Sequence, residues 1–273
     1  MNKDEKVIED FGEEWTKYDY TNLDKENLFE NFQQYFNIFP WDQISLESQG
    51  FDMGCGSGRW AQFVAPRVKT LSCIEPSKAI EVAKYNLKEF PNVKFFLETT
   101  DTCSLDDASQ DFGYCLGVLH HIPNTESALM DCSRLLKKGA PFLLYLYYNF
   151  ENKPWWFRGI WKVFDLVRII TSNLPKSLKK IVCDLIAIFI YFPLSRLSFV
   201  LEKLGMDVSN IPLSDYRKKP FYQSRNDALD RFGTSLEQRF SKLQITEMLN
   251  NADFDDITFS TNTPYWCCIA YKR

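Results

Sequence analysis

The chain has 273 residues, enough for a full α/β core, and its 32 basic and 36 acidic residues leave a net charge of −4. That near balance supplies no overall positive field to draw a nucleic-acid backbone, so a polynucleotide substrate is disfavoured. The eight cysteines include no C-x-x-C pair. Cys55, Cys73, Cys103, Cys115, Cys132 and Cys183 are scattered over different segments, which reads as reduced, mostly buried thiols of a cytosolic protein.

Met1-Asn2-Lys3-Asp4-Glu5-Lys6 lacks the apolar stretch of a secretory signal, and a cytoplasmic location is expected. Residues 1–48 mix acids with Phe11, Trp15, Tyr18, Tyr20, Phe29, Phe32, Tyr35 and Phe36 at roughly helical spacing until Pro40, which predicts a helical N-terminal flap. From 49 to 149 short apolar runs alternate with amphipathic stretches, the rhythm of βαβ units and a parallel sheet. Strands are predicted over Gly50–Met53, Thr70–Ile74, Val93–Leu97, Phe112–Leu116 and Pro141–Tyr148. Helices fall over Trp60–Ala65, Lys78–Phe90 and Thr125–Leu136, with starts at Pro76-Ser77 and Asn124-Thr125.

Residues 150–236 break this rhythm. They are rich in Trp, Phe, Leu and Lys and are punctuated by Pro154, Pro175, Pro193, Pro212 and Pro220, which predicts an inserted helical lid that helps to bind substrate. Residues 237–273 return to the main domain with a helix over Ser241–Asn250 and a hairpin of Ile257–Ser260 and Trp266–Tyr271.

Phe51-Asp52-Met53-Gly54-Cys55-Gly56-Ser57-Gly58 places three glycines between a strand and a helix, where side chains would block a ligand approaching the backbone. The spacing lacks the final x-x-G of the dinucleotide fingerprint. Asp52 would repel a pyrophosphate and suits a cationic amino acid, which disfavours a nicotinamide oxidoreductase. Glu75 of Ile74-Glu75-Pro76-Ser77 ends the second strand and suits a ribose diol. Thr100-Asp101-Thr102 follows the third strand, where an adenine edge would lie, and the fourth ends in Leu116-Gly117-Val118-Leu119-His120-His121.

Together these four motifs resemble the class I methyltransferases, most of all the group with the ubiquinone and menaquinone biosynthesis methyltransferases. The resemblance covers about 50–149. It implies a Rossmann-like three-layer α/β sandwich whose seven-stranded, mostly parallel sheet ends in an antiparallel strand. The implied cofactor is S-adenosylmethionine, leaving as S-adenosylhomocysteine, at Asp52, Gly54, Cys55, Gly56, Glu75, Pro76, Asp101, Thr102, Leu116 and Gly117. Met53 and Phe51 are bulkier than the small aliphatics usual in the family's first strand, and Thr100 replaces a more common glycine.

Methyl transfer from a sulfonium relies on alignment and exclusion of water and requires no metal, but an acceptor hydroxyl or acidic carbon must lose a proton. His120 and His121 are the candidate general bases. Tyr148 at the end of the fifth strand, and Tyr216, Tyr222 and Arg225 in the insertion, are candidate acceptor contacts. The fourth strand is not followed by the Asn/Asp-Pro-Pro-aromatic sequence that marks many of the resembling enzymes with nitrogen acceptors, so the resemblance implies an oxygen or carbon acceptor. The expected substrate is a small, partly apolar acceptor such as a glycan or quinone-like lipid intermediate. A cofactor-binding scaffold or sensor without catalysis is the alternative.

In the insertion, Trp155 to Ile170 interleaves aromatics and aliphatics with Arg158, Lys162 and Arg168, a mixture that peripheral membrane helices also show. Ile181–Leu194 is apolar for about fourteen residues but carries Asp184 and Pro193, which reads as too short and interrupted to span a bilayer. A buried lid or a homodimer helix is the expectation.

Overall fold

The computed structural model describes residues 2–17 and 25–273, and the side chains of Phe11 and Trp15 and the whole of Tyr18 and Tyr20, counted above as flap aromatics, lie outside the described residues. The chain divides into two compact units, Met1–Asn149 with Leu236–Arg273, and Phe150–Ser235.

In the first unit, two helices, α1 (Glu5–Lys17) and α2 (Lys25–Tyr35), precede the sheet. Among the described residues seven strands form one sheet: β1 (Gln49–Met53), β2 (Thr70–Ile74), β3 (Val93–Phe96), β4 (Phe112–Leu116), β5 (Pro141–Tyr145), β6 (Phe254–Phe259) and β7 (Cys267–Lys272). Their order is β3-β2-β1-β4-β5-β7-β6. The pairs from β3 through β5 are parallel, and β7 runs antiparallel to both β5 and β6. The crossover helices are α3 (Ala61–Val64), α4 (Ala79–Asn86) and α5 (Thr125–Leu135), and α10 (Lys242–Asn251) precedes the hairpin.

The alternation of side chains along each strand divides the core in two. Phe51, Met53, Cys115, Phe142 and Leu144 join α5 and α10 on one face. Leu71, Cys73, Phe112, Tyr114 and Leu143 join α2, α3 and α4 on the other. The bulky rings of the central strands have a specific accommodation. Register sets Phe51 opposite Gly113 and Phe112 opposite Gly50, and a Cβ on either glycine would lie within about 2.3 Å of the facing ring.

Local chemistry fixes the helix starts. The Asn124 side chain accepts from the Ser127 amide, and Ser241 and Gln244 form a reciprocal capping box. The structure shortens β5, which stops at Tyr145, the last residue paired with β7. Tyr148 makes only an isolated parallel bridge to Phe240.

The second unit is helical: α6 (Trp155–Ser172), α7 (Lys176–Ile186), α8 (Phe192–Lys203) and α9 (Phe221–Gly233). Its own core gathers Cys183, Ile186, Ala187, Tyr191, Ala228 and Phe232. The expectation that Asp184 and Pro193 break the apolar stretch is corrected here. A π-helical turn over Ala187–Tyr191 joins α7 to α8, giving one helix of 28 residues, Lys176–Lys203. The widened turn absorbs Pro193, whose ring would clash with the carbonyl of an unbroken preceding α-turn. Asp184 is neutralised by a forked pair of bonds from Arg225, each 2.6 Å.

Candidate functional site

The C-terminal edge of the parallel strands is where an open α/β sheet binds ligands, and the loop after β1 is shaped for close approach. Gly54, Gly56 and Gly58 take φ of +76°, +54° and +77°, the left-handed region that L side chains avoid. At Gly54 the need is also spatial, since a Cβ there would lie 2.5 Å from Val118. The Gly54 and Cys55 amides both donate to the Ile74 carbonyl, at 2.8 and 3.1 Å, which ties the loop to the end of β2.

Glu75 lies directly after β2 and is buried. One of its oxygens accepts from the Gly56 amide and the other from the Ser77 amide, both at 3.0 Å. An ionised carboxylate offers about four lone-pair positions, so two remain for further donors such as a diol. Burial raises the Glu75 pKa, and the Ser77 and Gly56 bonds oppose that rise. Pro76 follows without an N–H to compete for the same acceptors.

Asp52, on β1 beneath the loop, is buried, and its Oδ2 has no hydrogen-bond partner among the described residues. Burial pushes its pKa up to about 8, the Tyr114 hydroxyl pulls it down, and the charge of Glu75 adds to the rise. A buried carboxylate oxygen without a partner is costly unless a cation or donor completes it. Two acids around a glycine loop therefore fit the cationic amino-acid end and the ribose of S-adenosylmethionine, and they oppose a pyrophosphate.

Asp101 stands on the neighbouring loop, where Thr99 and Thr102 cap a short 3₁₀ turn reciprocally. The Thr99 hydroxyl and the Asn2 backbone amide donate to its carboxylate. These bonds lower its pKa, the Thr99 bond most. Asp101 and Thr102 are exposed at the surface of the turn. Leu116 ends β4, and Gly117, at φ +80°, donates its amide to the Tyr145 carbonyl, which joins the ends of β4 and β5.

The histidine pair follows on a 3₁₀ turn, Leu119–His121. His120 is fully buried and stacks on Tyr147 with ring centroids 3.8 Å apart. Burial, then the neighbouring His121 and Arg239, drive its pKa well below the ordinary value, so it is a neutral ring. His121 Nδ1 lies 2.7 Å from the Leu236 carbonyl oxygen. A carbonyl only accepts, so Nδ1 carries the proton and Nε2 is the basic nitrogen.

Residues returning after the insertion complete this corner. Gln238 donates its amide to the His120 carbonyl and its side chain to the Ile122 carbonyl at 2.7 Å. Arg239 pairs with buried Glu237 at 2.7 Å and lies over the Tyr147 ring. The Glu237–Arg239 pair was not among the candidates read from the sequence; Tyr147 reads there, beside Tyr148 and Asn149, as a strand-end residue that could line the acceptor pocket, without its stack on His120. Tyr35 of α2 packs against both Trp60 and Tyr145, a contact between distant segments that no local pattern announces.

Asp52, Gly54, Cys55, Gly56, Glu75 and Pro76 thus come together, with Leu116 and Gly117, Asp101 and Thr102, and the histidine turn on adjacent loops of the same sheet edge. Tyr148, half-buried, packs edge-on against Tyr265 and Trp266. The other acceptor candidates belong to the second unit. Arg225 is committed to Asp184, and Tyr216 packs edge-on against Tyr191, with its pKa raised by burial and then by Asp227. Both contribute to that unit's own packing. Tyr222 is half-buried on α9.

Residues 51–144 match the methyltransferase domain family. That match covers about a third of the chain, and the sheet order and the glycine loop accord with those of the class I S-adenosylmethionine-dependent methyltransferases. It is similar to the ubiquinone biosynthesis O-methyltransferase of Nitrosomonas europaea, 31% identical over 34% of this chain and 41% of that protein. The enzyme of the same name from Azoarcus sp. is 34% identical over 37% of this chain and 45% of that one. The matched region thus spans less than half the length of these relatives. In three dimensions the chain resembles a structure of the complex between the Haloferax volcanii Trm112 methyltransferase activator and a methyltransferase. The TM-score is 0.51 at 12% identity, with 97% of this chain and 98% of that one covered, a likeness of fold.

Proposed function

We propose that the protein transfers a methyl group from S-adenosylmethionine to an oxygen or carbon of a small, partly apolar acceptor. The observation that carries this reading is the acidic glycine loop: Glu75 bonded to the Gly56 amide, with the buried Asp52 below it, its Oδ2 without a hydrogen-bond partner among the described residues. When bound, the cofactor supplies a methyl group on a sulfonium that departs as a neutral thioether. In this reading Asp52 and the Gly54 to Gly56 backbone hold the amino-acid end, Glu75 accepts from the ribose hydroxyls, and Asp101 and Thr102 border the adenine.

His121, oriented by the Leu236 carbonyl, takes the acceptor's proton at Nε2 as the new bond forms. His120 is the packing member of the pair, held against Tyr147, and Tyr148 contributes an aromatic wall to the acceptor side. The names of the relatives support oxygen as the methylated atom and a quinone-type ring as the acceptor. Calorimetric titration with S-adenosylhomocysteine, with NADH as control, tests the cofactor. Micromolar binding of the first alone is expected, and binding of NADH alone overturns the reading.

A further inference from the structure

The second unit exposes an unusual amount of large apolar surface. On α6, Trp155, Trp156, Ile160, Val163, Leu166 and Ile170 are exposed, Trp155 at 79% and Val163 at 64%. Along Lys176–Lys203, Leu178, Ile181, Leu185, Ile188, Phe192 and Val200 recur at helical spacing and are exposed, with Phe189 at 71% beside them. The opposite face of that helix is spent on the unit's own core through Cys183, Ala187 and Tyr191.

The charges sort in the same way. Residues 150–235 hold 14 basic and 8 acidic side chains, net +6, in a chain whose net charge is −4. From 153 to 206 the exposed charged residues are Arg158, Lys162, Lys176, Lys180 and Lys203. The acids in this stretch, Asp165, Asp184 and Glu202, are less exposed, and each is paired with an arginine: Arg168, Arg225 or Arg217. Along the apolar stripes the exposed charges are therefore cations, and the exposed acids nearest them, Glu151 and Asp207, stand outside the two helices.

From this we infer that the helical unit docks the protein on an anionic lipid bilayer, with its exposed Trp, Phe and aliphatic side chains entering the headgroup boundary and its cations meeting lipid phosphates. An amphipathic helix with a basic rim has this mode of binding. A second copy of the same face would set cation against cation, which disfavours self-association as the occupant. Lys176–Lys203 is long and apolar enough to cross a membrane, but with one face packed in the unit's core and an ion pair at Asp184 it lies along the surface. The inference concerns where the protein works and does not depend on methyl transfer.

The test is flotation of the full-length protein with phosphatidylcholine vesicles, with and without phosphatidylglycerol. Binding to the anionic vesicles alone is expected, reversed by salt, and weakened about fivefold for each cation removed in Lys162→Gln and Lys180→Gln. Val163→Glu and Phe189→Glu should abolish it while leaving the melting temperature and S-adenosylhomocysteine affinity unchanged. These two readouts separate loss of docking from loss of folding. Absence of binding to anionic vesicles overturns the inference, as does binding that survives Val163→Glu and Phe189→Glu. A requirement for detergent to release the protein assigns the helix to the bilayer interior instead. A concentration-dependent dimer that the same variants dissolve, without vesicle binding, assigns the face to a second copy; either result overturns surface docking.

Discussion

Phe51 on β1 and Gly113 on β4 are direct partners across the centre of the sheet, and the ring occupies the space that a side chain at 113 would need. A Cβ at Gly113 would lie 2.3 Å from the Phe51 ring. Both strands are covered on both faces, so the ring cannot swing away. Gly113→Ala is expected to destabilise the protein by about 1–3 kcal/mol through overpacking. Adding Phe51→Leu should recover part of that loss, a non-additivity that urea unfolding of the two single variants and the double variant measures.

Glu75 holds the loop and, in the proposed function, the ribose. Glu75→Ala should weaken S-adenosylhomocysteine binding by more than about tenfold, since each bond to a charged acceptor contributes about 1.5–3 kcal/mol. Unchanged affinity by calorimetry, with a native circular dichroism spectrum, would remove Glu75 from the ribose role.

Asp52 carries a pH signature. Its pKa is raised by burial from 3.8 to about 8, so folding favours the protonated carboxyl. The stability from that preference is fully present below pH 3.8 and declines as pH rises towards 8. Asp52→Asn should flatten this decline in urea unfolding measured across that range. A cationic ligand beside Asp52 pulls the proton off, so S-adenosylhomocysteine binding near neutral pH should release a proton in the wild type and not in Asp52→Asn. Calorimetry in buffers of different ionisation enthalpy reads this directly.

The two histidines should separate. His121→Ala is expected to lower turnover by about 10²–10⁴-fold with cofactor affinity unchanged. His120→Ala should chiefly lower thermal stability, because it removes a fully buried ring from its stack on Tyr147. Loss of turnover confined to His120→Ala would exchange the two roles.

What the sequence revealed follows the range of the forces involved. The strands β2 and β4 coincide with their apolar runs, because a parallel strand buried on both faces must be apolar throughout. Gly54, Gly56, Glu75 and the histidine turn were legible because backbone geometry and strand-end chemistry are local. The Phe51 to Gly113 complementarity was not, since it depends on register between segments about sixty residues apart. Arg225 reads in isolation as an anion-binding cation. Its commitment to Asp184 depends on how α7 packs against α9. Pro193 likewise reads as a helix stop, and only the π-helical turn before it lets the helix run on.

The chain leaves the first unit after Asn149 and rejoins it at Leu236, and the two crossings are stitched side by side. The Asn149 amide donates to the Phe240 carbonyl and the Phe240 amide to the Tyr147 carbonyl, at 3.0 and 2.9 Å. The helical unit is therefore inserted in sequence at one point, after β5, and among the described residues it contributes no strand to the sheet. A unit attached in this way can be exchanged, enlarged or excised without rethreading the nucleotide fold, so the methyl-donor half and the helical half are free to diversify independently.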